Sequence, residues 1–167
     1  PIMAAFHAAS AGVTKAAGEV WGKDVAYLQS VKSPETGEEV PNYYSVVTVT
    51  AKQFKTTLQK RYGKVELGKK PQKWFGKVRY DDSGLPASIC IGGVDIPTSA
   101  LRSLFGLRSS SVTAECDGKN VTFYVTGYGH GVGMSQYGAN ALAKKGKTAG
   151  EILRHYYTGV EIRSIYR

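Results

Sequence analysis

The segment Gly127-Tyr-Gly-His-Gly-Val-Gly-Met-Ser-Gln-Tyr-Gly-Ala139 limits the fold of this chain more than any other stretch. Four glycines alternate with larger residues around His130. Glycine loses more backbone entropy on ordering than other residues, so such a run marks left-handed backbone angles or the close approach of another group. A substrate backbone laid against Gly127, Gly129, Gly131 and Gly133 is one candidate for that group. A helical pattern follows directly. Ser135 suits the N-cap, Ala139, Leu142 and Ala143 form an apolar stripe, Lys144 and Lys145 fall in the last turn, and Gly146 stops it. A glycine loop that opens a helix turns backbone N–H groups toward whatever lies in front of it.

A nucleotide fingerprint of the G-x-G-x-x-G kind does not fit here. That motif opens a βαβ unit and needs an acidic residue about 20 positions later on a second strand, whereas this loop lies near the C-terminus with no parallel-strand unit after it. Two readings stay open on these residues alone. One is a tight strand-to-helix corner with His130 as a hydrogen-bonded core residue; the other is a cleft with His130 on its wall.

Length and composition bound the rest. At 167 residues the chain suits one domain, 1–167, with a real core. Hydrophobic content of 42% and charged content of 21% are ordinary for a globular protein. No apolar run reaches the length of a membrane span, and no signal peptide is visible. Pro1 opens the chain inside an apolar segment, Ile2-Met-Ala-Ala-Phe6, that reads as a strand with an exposed edge, so a piece of a longer protein is expected. The net charge of +9 and a pI near 9.5 favour a polyanionic partner, nucleic acid or the anionic bacterial wall. The lysines are spread widely, and no zinc-finger spacing or ribonucleoprotein aromatic signature is present, so no nucleic-acid partner is expected. Cys90 and Cys116 show no C-x-x-C spacing and lie in strand-like runs, where buried free thiols are the default and a single disulfide stays open for an oxidising compartment.

The remaining elements follow from local signals. Residues 24–42 read as loop, broken by Pro34, Gly37 and Pro41. Tyr43 to Val49 is a β-branched, aromatic run, and Thr50 caps a helix through about Tyr62 with Phe54 and Leu58 on one side. Trp74 to Tyr80 and Pro86 to Ile91 form strands around Asp81-Asp-Ser-Gly84, and Val94 to Pro97 is extended before a brief helix closed by Gly106. Ser110 to Glu115 and Val121 to Thr126 make the clearest hairpin, around Asp117-Gly118. Thr148 and Glu151 form a capping box, and a final strand runs from Val160 to Tyr166. The mixture predicts an α+β fold with a largely antiparallel sheet and about four short helices.

The motif Gly129-His-Gly-Val-Gly-Met-Ser-Gln-Tyr-Gly-Ala139 resembles the signature of the stage II sporulation protein D and amidase enhancer family. Further blocks match in the family's order: Phe6-His-Ala-Ala-Ser-Ala-Gly12 with Thr14 and Trp21, Tyr27-Leu-Gln-Ser-Val31, Leu101-Arg-Ser-Leu-Phe-Gly-Leu-Arg-Ser109, Glu151-Ile-Leu-Arg-His-Tyr-Tyr157 and Gly159-Val-Glu-Ile162. The similarity covers nearly the whole chain.

The resemblance implies a peptidoglycan-cleaving lytic transglycosylase of cell-wall remodelling in sporulation, or a noncatalytic wall-binding module that enhances an amidase. It implies glycan strands as the ligand, other cell-wall hydrolases or sporulation proteins as partners, and an extracytoplasmic location with a membrane anchor upstream. In that chemistry a carboxylic acid protonates the glycosidic oxygen and the sugar's own 6-hydroxyl attacks, so the acid's pKa should be raised in its cleft. The family carries that glutamate in an alanine–glutamate–methionine–proline segment, which this sequence lacks. Glu19, Asp24, Glu151 and Glu161 are poor substitutes, so no catalytic residue is expected in this chain. The expected glycan-side residues are His130, Gly129, Gly131, Ser135, Gln136, Tyr137, His7 and Ser10, with Trp21 and Trp74 among the aromatics available as platforms. His7, His130 and His155 have the composition of an open zinc site. Some members of the family bind zinc through cysteines near the first block. Ser10 stands where such a cysteine would be, and neither Cys90 nor Cys116 matches, so no metal and no cofactor is expected.

Overall fold

A computed structural model describes residues 1–163. In chain order the elements are β1 (Phe6–His7), α1 (Ala17–Trp21), β2 (Tyr44–Thr50), α2 (Ala51–Arg61), β3 (Phe75–Tyr80), β4 (Pro86–Ile91), β5 (Val94–Pro97), α3 (Thr98–Phe105), β6 (Val112–Cys116), β7 (Asn120–Thr126), β8 (Met134–Ser135), α4 (Gln136–Lys144) and α5 (Ala149–Tyr156). The fold is α+β, as expected, with five α-helices among the described residues and antiparallel sheets throughout except for the short pair β1–β8. No helix among them is long and apolar enough to cross a membrane. Within the span expected as one domain, packing divides the chain into two compact units, one from Pro1–Tyr43 with Tyr128 onward, the other from Tyr44–Gly127.

The second unit holds two three-stranded antiparallel sheets, ordered β2-β7-β6 and β3-β4-β5. The strand-forming residues are β-branched or aromatic on the buried face, so β7 turns Val121, Phe123 and Val125 inward and leaves Tyr124 exposed. The hairpin between β6 and β7 closes on Asp117-Gly118: Asp117 Oδ1 accepts the N–H groups of Lys119 and Asn120 at 2.7 Å each, and Gly118 takes φ +100°. Thr50 caps α2 through a box with Gln53, whose N–H donates to Thr50 Oγ1 at 3.2 Å. Phe54 then enters a stack of Trp74, Phe75, Phe105 and Phe123 rings, with centroids 5.3–6.0 Å away. Cys90 and Cys116 are half-buried free thiols.

The first unit is built on pairing between two distant segments. Residues 5–15 run along the glycine loop and form the bridges Phe6↔Met134, His7↔Ser135, Ala9↔Tyr128 and Lys15↔Val132. Its core gathers Ala17, Leu28, Val132, Ile152, Tyr156 and Tyr157. Two expectations are corrected here. The opening strand is confined to Phe6–His7, because the pairing with β8 lasts only two residues before the loop bends away. Residues 160–163 are not in a strand, and the rest of the expected final strand lies outside the described residues. α1, a single helical turn before Gly22, was not foreseen.

Candidate functional site around the glycine loop

The alternation of glycines is a backbone requirement. Gly127, Gly129, Gly131 and Gly133 all take positive φ, at +80°, +112°, +84° and +73°, a region where an L side chain is strained. The close approach that the run implies comes from the chain itself. A Cβ on Gly133 would lie 2.2 Å from Ala5 O, and one on Gly129 would lie 2.7 Å from His7 Cβ. The amides of the loop are also engaged within the chain. Tyr128 N donates to Ala9 O at 2.8 Å, Met134 N to Ala5 O at 3.0 Å and Tyr137 N to Ala8 O at 3.0 Å.

These constraints bring three rings together. His130 is half-buried, with its centroid 5.7 Å from the His7 ring and 5.6 Å from that of Trp21, which the α1 turn presents with 42% of its surface exposed. Val132 N donates to His130 Nδ1 at 3.1 Å, so in the neutral ring the proton sits on Nε2, which is a donor. His7 is buried and has the opposite tautomer. Its Nδ1–H donates to Val132 O at 3.2 Å, and its Nε2 accepts the Ser10 hydroxyl at 2.6 Å. Burial pushes the His7 pKa down to about 4, against the bond to the Val132 carbonyl and with help from His130. His7 is therefore a neutral bond-maker at pH 7.

Behind the rings lies a carboxylate that the sequence does not single out. Glu35 is 4% exposed, and its Oε1 accepts the Ser10 N–H at 2.6 Å and the Ser135 hydroxyl at 2.5 Å. Ser135 in turn caps α4, accepting Gly138 N at 3.1 Å. The path from His7 through Ser10 and Glu35 to Ser135 thus ties the first segment to the start of α4. Gly138 is required beside it, since a Cβ there would sit 2.2 Å from Tyr156 Oη, 2.3 Å from Ser33 Oγ and 2.6 Å from Glu35 Oε2. Ser33 and Tyr156 bond to each other at 2.8 Å, and burial, reinforced by the charge of Glu35, pushes the Tyr156 phenol up to about 12.

The expected residues divide accordingly. His130, Gly129, Gly131 and Gln136 are at least partly exposed at the loop. Ser135, Ser10 and His7 are buried in the network beneath it. Tyr137 packs on Ala9, Val40 and Tyr43. Trp74 is not a platform: it is 5% exposed and stacked on Phe54 in the other unit. His155 is turned elsewhere, its Nε2 bonded to Lys32 O at 2.6 Å. No group of three or more His, Cys, Asp or Glu among the described residues is placed to hold a metal ion.

No family model matches the chain. It is 37% identical over 163 residues, 97% of its length, to a protein named stage II sporulation protein D from Bacillus subtilis (strain 168), and 36% identical over the same share to that of Bacillus amyloliquefaciens. It is 28% identical over 210 residues, 98% of its length, to the amidase enhancer of Bacillus subtilis (strain 168). The chain spans 45% of the length of either sporulation protein and 30% of the amidase enhancer.

Proposed function

We propose that this chain, a homologue of stage II sporulation protein D and of the amidase enhancer, is part of an extracytoplasmic lytic transglycosylase that cuts peptidoglycan glycan strands. The observation that carries this reading is the edge of the loop, where the half-buried His130 ring and the exposed Trp21 indole lie with centroids 5.6 Å apart. A sugar ring stacks on an indole through its C–H face and takes hydrogen bonds at its rim, so the two groups together suit a saccharide. The chemistry needs an acid that protonates the glycosidic oxygen while the C1–O bond breaks. The 6-hydroxyl oxygen then closes on C1 and returns its proton to that carboxylate, leaving an anhydro sugar. Glu35 does not suit this acid role, because it is buried behind Ser10 and already accepts two hydrogen bonds. The acid in this reading is the family's upstream glutamate, and the chain's own residues bind and orient.

A second reading is a noncatalytic wall-binding module that stimulates an amidase. Its support is the name of one relative, together with a ring cluster whose neighbours are imidazole and indole. Digestion of peptide-free glycan strands separates the two. The longer polypeptide, its glutamate-to-glutamine variant and His130→Ala are compared by mass spectrometry of the products. Anhydro-ended fragments from the unmodified protein, lost in the glutamate variant and reduced in His130→Ala, support the enzyme. Binding without any anhydro product rejects it in favour of the module.

A further inference from the structure

The most uneven charge distribution in the chain lies in the second unit. Residues 50–80 hold ten lysines and arginines and a single acid, Glu66. Along α2 the inner side takes Ala51, Phe54 and Leu58, leaving Lys52 and Lys60 exposed. The chain after α2 folds back on the same helix. Lys55 Nζ donates to Leu67 O at 2.6 Å, and Trp74, whose indole N–H reaches Gly68 O at 3.0 Å, stacks on Phe54. The exposed Lys64, Lys69 and Lys70 of that return segment are therefore carried beside α2. Among the described residues none of these lysines is in an ion pair; the pair in this stretch is Arg79 with Asp95, at 3.3 Å.

A groove of about 480 Å³ opens on this face, lined by Thr56, Thr57, Lys60, Arg61 and Leu104. It offers two cations and two hydroxyls. No aromatic ring lines the groove: Phe54 is fully buried, Tyr62 is half-buried with the Arg61 guanidinium 5.3 Å from its ring centre, and the exposed Tyr80 lies on β3, outside the lining. Proteins that bind single-stranded nucleic acid pair cations with open ring faces on which bases stack, and this groove has none. A polymer of polyol and phosphodiester units asks for spaced cations and hydroxyl partners, which are here.

The geometry points to a docking surface for an anionic cell-wall polymer of the polyol-phosphate (teichoic) type, seated on the exposed side of α2 with phosphates at Lys60 and Arg61. The inference rests on the wall location proposed above but not on glycan cleavage. The test sediments the 167-residue chain with bacterial walls bearing polyglycerol phosphate and with the same walls after acid extraction of the polymer. Binding to intact walls is expected to be roughly tenfold tighter and to weaken as salt is added. The variant Lys60→Glu/Arg61→Glu is expected to lose that advantage. Lys32→Glu/Lys145→Glu, the same charge change on exposed residues of the first unit, is expected to stay within about twofold of the unmodified chain. All four positions are exposed, so unchanged melting curves verify folding. Equal binding to extracted walls, or undiminished binding by the α2 variant, overturns the proposal. So does a DNA duplex that displaces the chain from walls at the same phosphate concentration as free polyglycerol phosphate. Binding to polymer-free glycan strands is measured in parallel and reports only on the His130 site, so the two failures are distinguishable.

Discussion

At the scale of single residues, His7 and Glu35 are each fixed by the hydrogen bonds they make. His7 must stay neutral, because its Nδ1–H is given to Val132 and its Nε2 accepts Ser10. Its folded pKa is about 4 against an ordinary 6.5. An unfolded chain therefore binds a proton between these values that the folded chain refuses, and stability falls as pH drops through that window while staying flat above it. The full effect is on the order of 3 kcal/mol. Urea midpoints at pH 7.5, 6 and 4.5 should show this fall in the unmodified chain and a shallower one in His7→Gln; equal slopes would remove the assignment. Glu151, held at about 2 chiefly by the Thr148 N–H and then by Lys147, titrates below the window and leaves the comparison clean. Glu35 supplies an acceptor to two buried donors. Glu35→Ala strands both and is expected to lower stability by about 2–4 kcal/mol. Glu35→Gln keeps one acceptor oxygen and should lose less. Thermal melts of the pair check the order, and equal losses would mean that the bonds to Ser10 and Ser135 are not what Glu35 contributes.

At the scale of elements, the glycine loop and α4 act as one joint. Gly133 and Gly146 both take positive φ, at +73° and +82°, but only Gly133 faces an obstacle, the Ala5 carbonyl. Gly146→Ala is expected to cost about 1–2 kcal/mol for the backbone alone. Gly133→Ala adds a clash that β1 can relieve only by leaving β8, so about 3 kcal/mol or more is expected. Chemical denaturation of both variants checks this, and similar losses would show that the loop yields without disturbing the pair. What was legible in the sequence follows the same division. Caps at Thr50, Ser135 and Thr148 and the turn at Asp117-Gly118 are local, since donor and acceptor lie within a few residues, and all four were read correctly. The glycine run announced left-handed angles and a close neighbour, but nothing in its spacing says that the neighbour is the segment around Ala5 and His7. Glu35 was invisible for a related reason. It sits between Pro34 and Gly37 in a loop with Glu38 and Glu39, and its partner Ser135 is 100 residues away. A one-turn helix such as α1 carries too few residues for a periodic signal.

At the scale of the whole chain, the two units differ in how the polypeptide supplies them. The first is assembled from both ends, and its core joins Ala17 and Leu28 to Val132, Ile152 and Tyr156, contacts that span most of the sequence. The second is one uninterrupted stretch whose core draws on α2, α3 and both sheets. It also carries thirteen lysines and arginines against six acids, and so most of the net +9. The turns at Asp81 and Asp117 are closed by hydrogen bonds made within the stretch. A continuous segment with its own apolar core and satisfied turns meets the physical conditions for folding alone. Residues 44–127 expressed without the rest should therefore give β-rich circular dichroism and one cooperative melt, and should bind polyglycerol-phosphate walls with the same dependence on Lys60 and Arg61 as the longer chain. The first unit has no such option, because each half lacks the strand partner that the other provides. A non-cooperative melt of residues 44–127 would mean that the second unit draws stability from outside its own sequence. The basic face would then have to be tested only in the longer chain.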